Sequence, residues 1–270
     1  MPLNFWFTRS TVNEWLGLFM LLVVAWMRRP ALPLQVVLTV AAGPLICGAF
    51  YCVMALGRGW FYLPVADDPR LLREFYVLRY VDWIFIVPLA LYAFASTALA
   101  DPRERNRAWV GLLLPSLGMT VSALLFSAWV GVIIKTFLYF LFFGFSVVLA
   151  LAVRRIFRQQ ATAGSLRYKT LRRDVRFLAG LWACYNVTVL LGSDGIRFFL
   201  PSVTTAFFEN LDFALAVGYP FVALSRFGRT QEARSRAQQR ADTIDSGPGL
   251  ILRPSASRHG AERDGKLPGA

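Results

Sequence analysis

The chain has 270 residues, of which 56% are hydrophobic; its mean hydropathy is +0.50 and its formal net charge is +13. This composition excludes an ordinary soluble domain and predicts an integral membrane protein. The positive charge does not require nucleic acid as a partner, because basic loops are attracted to the anionic headgroups of a lipid bilayer. The three cysteines have no metal-ligand spacing, and the single histidine, His259, lies in a polar tail, so we expect no metal site.

Seven apolar runs follow one another along the chain, and a helix needs about 20 apolar residues to cross a bilayer. The first run is followed by Arg28 and Arg29 rather than by a cleavage site, so we interpret it as a retained helix with interfacial aromatic residues before it. Glycines at 57 and 59 before an aromatic segment predict a short strand or hairpin after the second helix. The predicted helices span 11–27, 34–57, 74–99, 107–125, 127–153, 176–193 and 202–225.

The chain divides into a membrane domain, 1–227, and a polar tail, 228–270, that has no aromatic residues and is expected to be disordered. Arginines are densest in the first, third and fifth loops and in the tail. The seven apolar runs predict an all-α, seven-helix bundle in the cell membrane. The positive-inside rule places its N-terminus outside and its C-terminus in the cytoplasm.

Ionisable residues inside membrane spans are costly and mark functional candidates. Arg79 and Asp82 in the third helix are three residues apart, as are Glu209 and Asp212 in the seventh, so each pair shares a helix face. This spacing predicts a polar interior shared between the two helices. Glu209 and Lys135 also fit positions at the lipid edge, and their orientation stays open.

The third helix resembles that of the microbial (type I) rhodopsins in its Arg-Tyr-x-Asp-Trp motif and the proline that follows at Pro88. The sixth and seventh helices, a tyrosine in the second and an aromatic run in the fifth resemble the same family in the same order over residues 45–226. The matching positions include Tyr51, Arg79, Tyr80, Asp82, Trp83, Trp182, Tyr185, Asp194 and Asp212.

The resemblance implies a role for each of these side chains. Asp82 and Asp212 correspond to the two counterions of a retinal Schiff base, Arg79 to the arginine that stabilises them, and Tyr51 to a tyrosine beside them. Asp194 matches one acid of the release pair, and its partner position is Thr204. The walls of the retinal pocket correspond to Trp83, Trp182 and Tyr185.

The departures from the family pattern are equally specific. The lysine that binds retinal is replaced by Ala216, and a methyl group cannot form an imine. The proton-donor position is Ala93, and other relay or pocket positions are Ile86, Asn186 and Val189. Without an imine cation, Asp82 and Asp212 cannot cheaply both be ionised, so one is expected to be protonated or compensated by water, a cation or another ligand.

These residues predict a light-independent structural or regulatory homologue without a covalent cofactor, whose partner is another membrane protein or a second copy of the chain. Two alternatives stay open. One is non-covalent binding of retinal or a carotenoid between Trp83, Trp182, Tyr185 and Ala216; the other is a light-independent proton or ion pathway. A relocated Schiff base at Lys135 also stays open. The sequence offers no nucleophile–base pair, so we do not expect an enzyme.

Overall fold

The computed structural model describes residues 3–28, 32–64, 72–99, 101–161 and 166–226. Each of its seven helices is long and apolar enough to cross a membrane, which confirms the predicted number of spans within this part of the chain. The last helix continues from α7 through a π-helical segment, Ala214–Gly218, to Arg226. The helices are α1 Leu3–Met27, α2 Leu34–Ala55, α3 Val77–Ala98, α4 Pro102–Ala128, α5 Val132–Ala161, α6 Leu166–Leu191 and α7 Pro201–Phe213.

The helices form a closed ring in which each packs against its sequence neighbours and α7 packs against α1. Within the most apolar stretch of each helix, 67% of the residues of α3 are buried but only 28% of those of α5. The third helix is therefore the enclosed element of the bundle, and its side chains have the fewest routes to lipid.

The predicted helix boundaries were wrong by five or more residues at five places. Helix α4 begins at Pro102 rather than at 107, and α5 begins at Val132 rather than at 127. The first helix begins at Leu3 rather than at 11, so the aromatic residues expected before it belong to it, and Phe7 is fully buried. Its polar residues do not end the helix, because the hydroxyls of Thr8 and Thr11 donate to carbonyls one turn earlier, 2.8 and 2.9 Å away. The fifth helix extends to 161 and the sixth starts at 166, because arginine propagates a helix beyond the apolar core.

The predicted hairpin is confirmed. Strand β1, Phe61–Pro64, pairs antiparallel with β2, Leu72–Phe75, and Phe61 lies opposite Phe75. The turn before it needs glycine: Gly59 has φ +76°, and a Cβ there would lie 2.1 Å from Leu78 Cδ1. We call the end of the bundle that carries β1 and β2 the hairpin end and the opposite end the basic end. The predicted tail, 228–270, with His259, lies outside the described residues.

Candidate functional site

The four predicted charged residues of α3 and α7 all point into the bundle. The exposed fractions are 3% for Arg79, 1% for Asp82, 4% for Glu209 and 0% for Asp212. Glu209 therefore lies inside the ring rather than at the lipid edge. The one-turn spacing on each helix brings these side chains to a common interior, as the sequence predicted.

Asp212 is held by hydrogen bonds from three other helices. The Tyr51 hydroxyl donates to Oδ2 at 2.5 Å, while Trp83 Nε1 and the Tyr185 hydroxyl donate to Oδ1 at 2.9 and 2.5 Å. A carboxylate that accepts several hydrogen bonds is stabilised in its charged form even where water is excluded. This arrangement lets α7 retain a buried aspartate and ties it to α2, α3 and α6.

Asp82 has a different environment, although it too is buried. Within the described part of the chain, neither of its oxygens accepts a hydrogen bond. The buried Cys47 thiol of α2 adjoins its carboxyl group and also the carboxyl group of Glu14 on α1. Glu14 is 0% exposed, and its two oxygens likewise have no hydrogen-bond donor among the described residues.

Sequence reasoning missed Glu14 because the first helix was predicted to start only three residues before it. The signal was nevertheless present. Glu14 belongs to a buried stripe at helical spacing, and the small residues of that stripe let α1 approach its neighbours. The stripe comprises Phe7, Ser10, Thr11, Glu14, Gly17, Leu21 and Ala25.

Arg79 lies between this interior and the hairpin end. Its Nη2 donates to Thr205 Oγ1 at 3.0 Å, and its guanidinium carbon lies 4.9 Å from the centroid of the Phe208 ring and 5.7 Å from that of Tyr76. It makes no ion pair with the described carboxylates. Aromatic faces and a threonine therefore hold the cation at the edge of the carboxyl cluster.

The predicted pocket aromatics cluster on α3 and α6. The ring centroids of Trp83 and Tyr185 are 4.8 Å apart in an edge-to-face contact. Trp182 is buried, and its carbonyl accepts a hydrogen bond from Asn186 Nδ2 at 2.8 Å. Asn186 also donates to Ser146 Oγ at 3.1 Å, so its side chain links α6 to α5.

Ala216 lies in the π-helical segment and is 2% exposed. A Cβ added to Gly43 of α2 would lie 3.5 Å from the Ala216 carbonyl oxygen, so α2 and the π-helical segment pack closely here. The side chain at this position is a methyl group, and residues 201–226 contain no lysine. The site therefore does not fit retinal bound as an imine to the last helix.

The sequence holds three lysines, Lys135, Lys169 and Lys266. Lys135 lies one turn into α5 at the hairpin end, half-buried, with Nζ 5.0 Å from the centroid of the Phe126 ring of α4. This contact between neighbouring helices places it at the corner of the bundle. The side chains of the other two lysines lie outside the described part of the chain.

Asp194 closes the hairpin end. It forms an ion pair with Arg73 and accepts a hydrogen bond from the Tyr80 hydroxyl at 2.5 Å. The Tyr80 hydroxyl accepts in turn from Ser127 Oγ at 2.7 Å, and Arg73 also donates to the Ser127 carbonyl. Thr204, at the position of the second release acid, accepts instead from the backbone N–H of Ser193 at 3.1 Å. The contacts of Asp194 therefore join β2, α3 and α4 at the hairpin end.

A cavity of about 460 Å³ opens between the hairpin and the start of α7, and Arg79 and Thr205 form part of its lining. At its rim the Tyr76 hydroxyl donates to Glu74 at 2.6 Å. Burial, together with the Glu74 carboxylate, raises the pKa of Tyr76 above its ordinary value, so this hydroxyl stays a donor.

From Asp82 towards the basic end, the buried face of α3 is mainly apolar, with Ile86, Ala90, Ala93 and Phe94, and Tyr92 and Ser96 are its polar members. Among the described residues, charged groups return near the basic end, where Arg105 packs on Tyr92 and Arg226 pairs with Asp174. The polar cluster therefore occupies one half of the bundle.

A closed ring of seven membrane helices, with buried carboxyl groups and aromatic side chains between α3 and α7, defines the class of the microbial rhodopsins. The chain belongs to the bacteriorhodopsin-like protein family, whose model matches residues 1–228. The match extends over all seven helices, so the assignment does not depend on any single motif.

Relatives and solved structures agree with this assignment. The chain is 31% identical to sensory rhodopsin-2 of Natronomonas pharaonis over 184 residues, 66% of this chain and 70% of that protein. It is 28% identical to cruxrhodopsin-3 of Haloarcula vallismortis over 239 residues, 83% and 89% of the two chains. The crystal structure of the thermophilic rhodopsin from Rubrobacter xylanophilus superposes with a TM-score of 0.72 at 27% identity, covering 84% of this chain and all of that one.

Proposed function

We propose that this protein is a rhodopsin homologue that carries no covalent retinal and acts without light, as a structural or regulatory partner of another membrane protein or of a second copy of itself. The observation that carries the proposal is the buried methyl group of Ala216 at the position of the Schiff-base lysine. The three hydrogen bonds to Asp212 support it, because they stabilise a buried carboxylate without a neighbouring imine cation.

The proposed orientation places the hairpin end outside a cell membrane and the basic end in the cytoplasm. Arginines close to the ends of spans favour the cytoplasmic side. Those at or near the basic end are Arg28, Arg103, Arg105, Arg107, Arg154, Arg155, Arg158, Arg172, Arg173, Arg176 and Arg226. At this surface they are suited to anionic lipid headgroups, which fits the bilayer as the partner of the basic charge.

The named relatives include sensory rhodopsins and bacteriorhodopsins, and a solved structure at 20% identity, which supports the fold alone, is described as a light-driven proton pump. A proton pathway through this chain is less favoured than a regulatory role, because the buried residues that follow Asp82 on α3, such as Ile86, Ala90 and Ala93, include no carboxyl group. An enzyme is not favoured either, because the Cys47 thiol and the carboxyl groups beside it are enclosed in the described bundle, where a substrate cannot reach them.

An absorption spectrum after addition of all-trans retinal, recorded before and after acid denaturation, tests the proposal. We expect no visible band and no acid-stable adduct in the wild-type protein. A trapped protonated imine would show that Lys135 or another amine binds retinal and would overturn the proposal. A visible band that denaturation converts to free retinal would establish the non-covalent alternative instead.

A further inference from the structure

Glu14, Cys47 and Asp82 form a second polar group, which the role of the Asp212 cluster does not explain. The three side chains come from α1, α2 and α3 and are at most 1% exposed. The Cys47 thiol adjoins both carboxyl groups, and the four carboxyl oxygens accept no hydrogen bond from the described residues. We call these residues the carboxyl–thiol triad.

The triad is held in place by close helix packing. A Cβ added to Gly48 would lie 2.4 Å from Trp15 Nε1 and 3.3 Å from Glu14 Cβ. One turn further along the same buried stripe of α1, a Cβ added to Gly17 would lie 2.5 Å from the Val217 side chain in the π-helical segment. Glu14 is therefore fixed between α2 and the last helix and cannot reach lipid headgroups or solvent without moving α1.

Charge balance decides the state of these carboxyl groups. An ionised carboxylate in an apolar interior is very costly without a cation or hydrogen-bond donors. Asp212 has three donors, whereas Glu14 and Asp82 have only the weak Cys47 thiol beside them and no ion pair within the described part of the chain. The groups that face the triad from neighbouring helices are Tyr51 on α2, Arg79 on α3, Tyr185 on α6, and Glu209 and Asp212 on α7. Only one of these, Arg79, is a cation, and Asp212 and Glu209 compete for its charge.

We propose that the carboxyl–thiol triad is a proton-binding site in which Glu14 and Asp82 are both held as neutral carboxylic acids on either side of the Cys47 thiol. Each acid O–H can donate to the sulfur, which is a weak acceptor, and the thiol S–H can donate to one carboxyl oxygen. Loss of either proton places an uncompensated charge in the closely packed interior where α1, α2 and α3 meet. Proton occupancy thereby controls the packing of α1, which is a means of regulation that needs neither light nor retinal.

Infrared difference spectroscopy of the full chain in lipid tests the site directly. At neutral pH we expect separate protonated-carboxyl stretches that disappear one each in Glu14→Gln and Asp82→Asn. Cys47→Ser should shift the frequency of both bands, because it replaces a weak hydrogen-bonding partner by a strong one; a purely structural cysteine would leave them in place. Glu104→Gln, which changes an exposed carboxylate, is the matched control and should alter neither band.

A second measurement keeps the proposal testable if a band is obscured. A folded protein that binds protons which its unfolded chain releases loses stability as the pH rises. The unfolding midpoint, measured in detergent, should therefore decrease as the pH is raised from about 5 to about 8. Glu14→Gln should remove a substantial part of this dependence of the midpoint on pH. If neither substitution removes a protonated-carboxyl band and the dependence of the midpoint on pH is unchanged, both acids are ionised and the triad is not a proton site. These measurements use no retinal, so their outcome is independent of whether an imine forms.

Discussion

The two halves of the bundle differ in the polar groups that they bury. In the hairpin half, carboxyl groups from α1, α3, α7 and the segment after α6 lie inside, and the three hydrogen bonds to Asp212 all come from aromatic residues of other helices. In the basic half, the inward face of α3 is apolar at Ile86, Ala90 and Ala93, and charge is confined to the bundle's end. Buried carboxyl groups thus lie where hydrogen bonds from several helices meet, and the half without them is packed mainly by apolar side chains.

The largest expected effect is the return of a pigment in Ala216→Lys. The hairpin half still presents a carboxylate at Asp212 and aromatic side chains at Trp83 and Tyr185, so a new amine has a counterion and a pocket wall. We expect a visible band with retinal that survives acid trapping as an imine, with incomplete yield because Asn186 and Val189 differ from the residues that the resemblance implies for the pocket. Ala216→Met, which has similar length and no amine, is the control. Absence of colour in a folded variant at any pH would mean that the hairpin half has lost the chromophore pocket as well.

Asp212→Ala should be the most destabilising of the aspartate substitutions. It leaves the buried donors of Tyr51, Trp83 and Tyr185 unpaired, and each unsatisfied group costs about 1–3 kcal/mol. We expect a loss of about 3 kcal/mol or more in the free energy of unfolding, measured by denaturant titration in mixed micelles. Asp82→Asn, which removes no described hydrogen bond, should cost much less. Equal losses in the two variants would contradict the different environments of the two aspartates.

A smaller loss in the free energy of unfolding is expected when the contacts of Asp194 at the hairpin end are removed. Asp194→Ala removes the partner of Arg73 and of the Tyr80 hydroxyl, both of which are largely buried. We expect a loss of about 2 kcal/mol and faster amide exchange in β1 and β2, because truncating one member of a hydrogen-bonded charge pair leaves the other unpaired. Glu74→Gln, which alters only the exposed Tyr76 contact, should leave exchange in the strands nearly unchanged.

The smallest effect concerns transport through the basic half. In liposomes in the dark, proton flux should equal that of protein-free vesicles, and Asp82→Asn should not change it, because the apolar positions after Asp82 interrupt any relay. A pH-sensitive dye inside the vesicles measures this. Flux that depends on Asp82 would show that protons cross the apolar half and would favour the ion-pathway alternative.

Much of this architecture could be predicted from local pattern. The seven spans follow from apolar length, the hairpin from two glycines and an aromatic segment, and the inward pairs on α3 and α7 from three-residue spacing. The start of α1 could not be predicted in this way. It depends on whether the hydroxyls of Thr8 and Thr11 donate hydrogen bonds to carbonyls of the helix backbone. The exposure of Glu209 was also undecidable, since a residue near the end of a span can face lipid or the interior without changing the hydropathy pattern.

The sequence by itself determined the class of the protein and the absence of an amine at residue 216, because apolar length and the identity of a residue are properties of the chain alone. Only the tertiary structure separated the two aspartates. Asp212 gains donors from Tyr51, Trp83 and Tyr185, while Asp82 meets Cys47 and the unforeseen Glu14. The reason is physical: whether a buried acid is charged depends on donors and charges supplied by other helices, and their approach is set by packing at Gly48 and Gly17 rather than by sequence spacing.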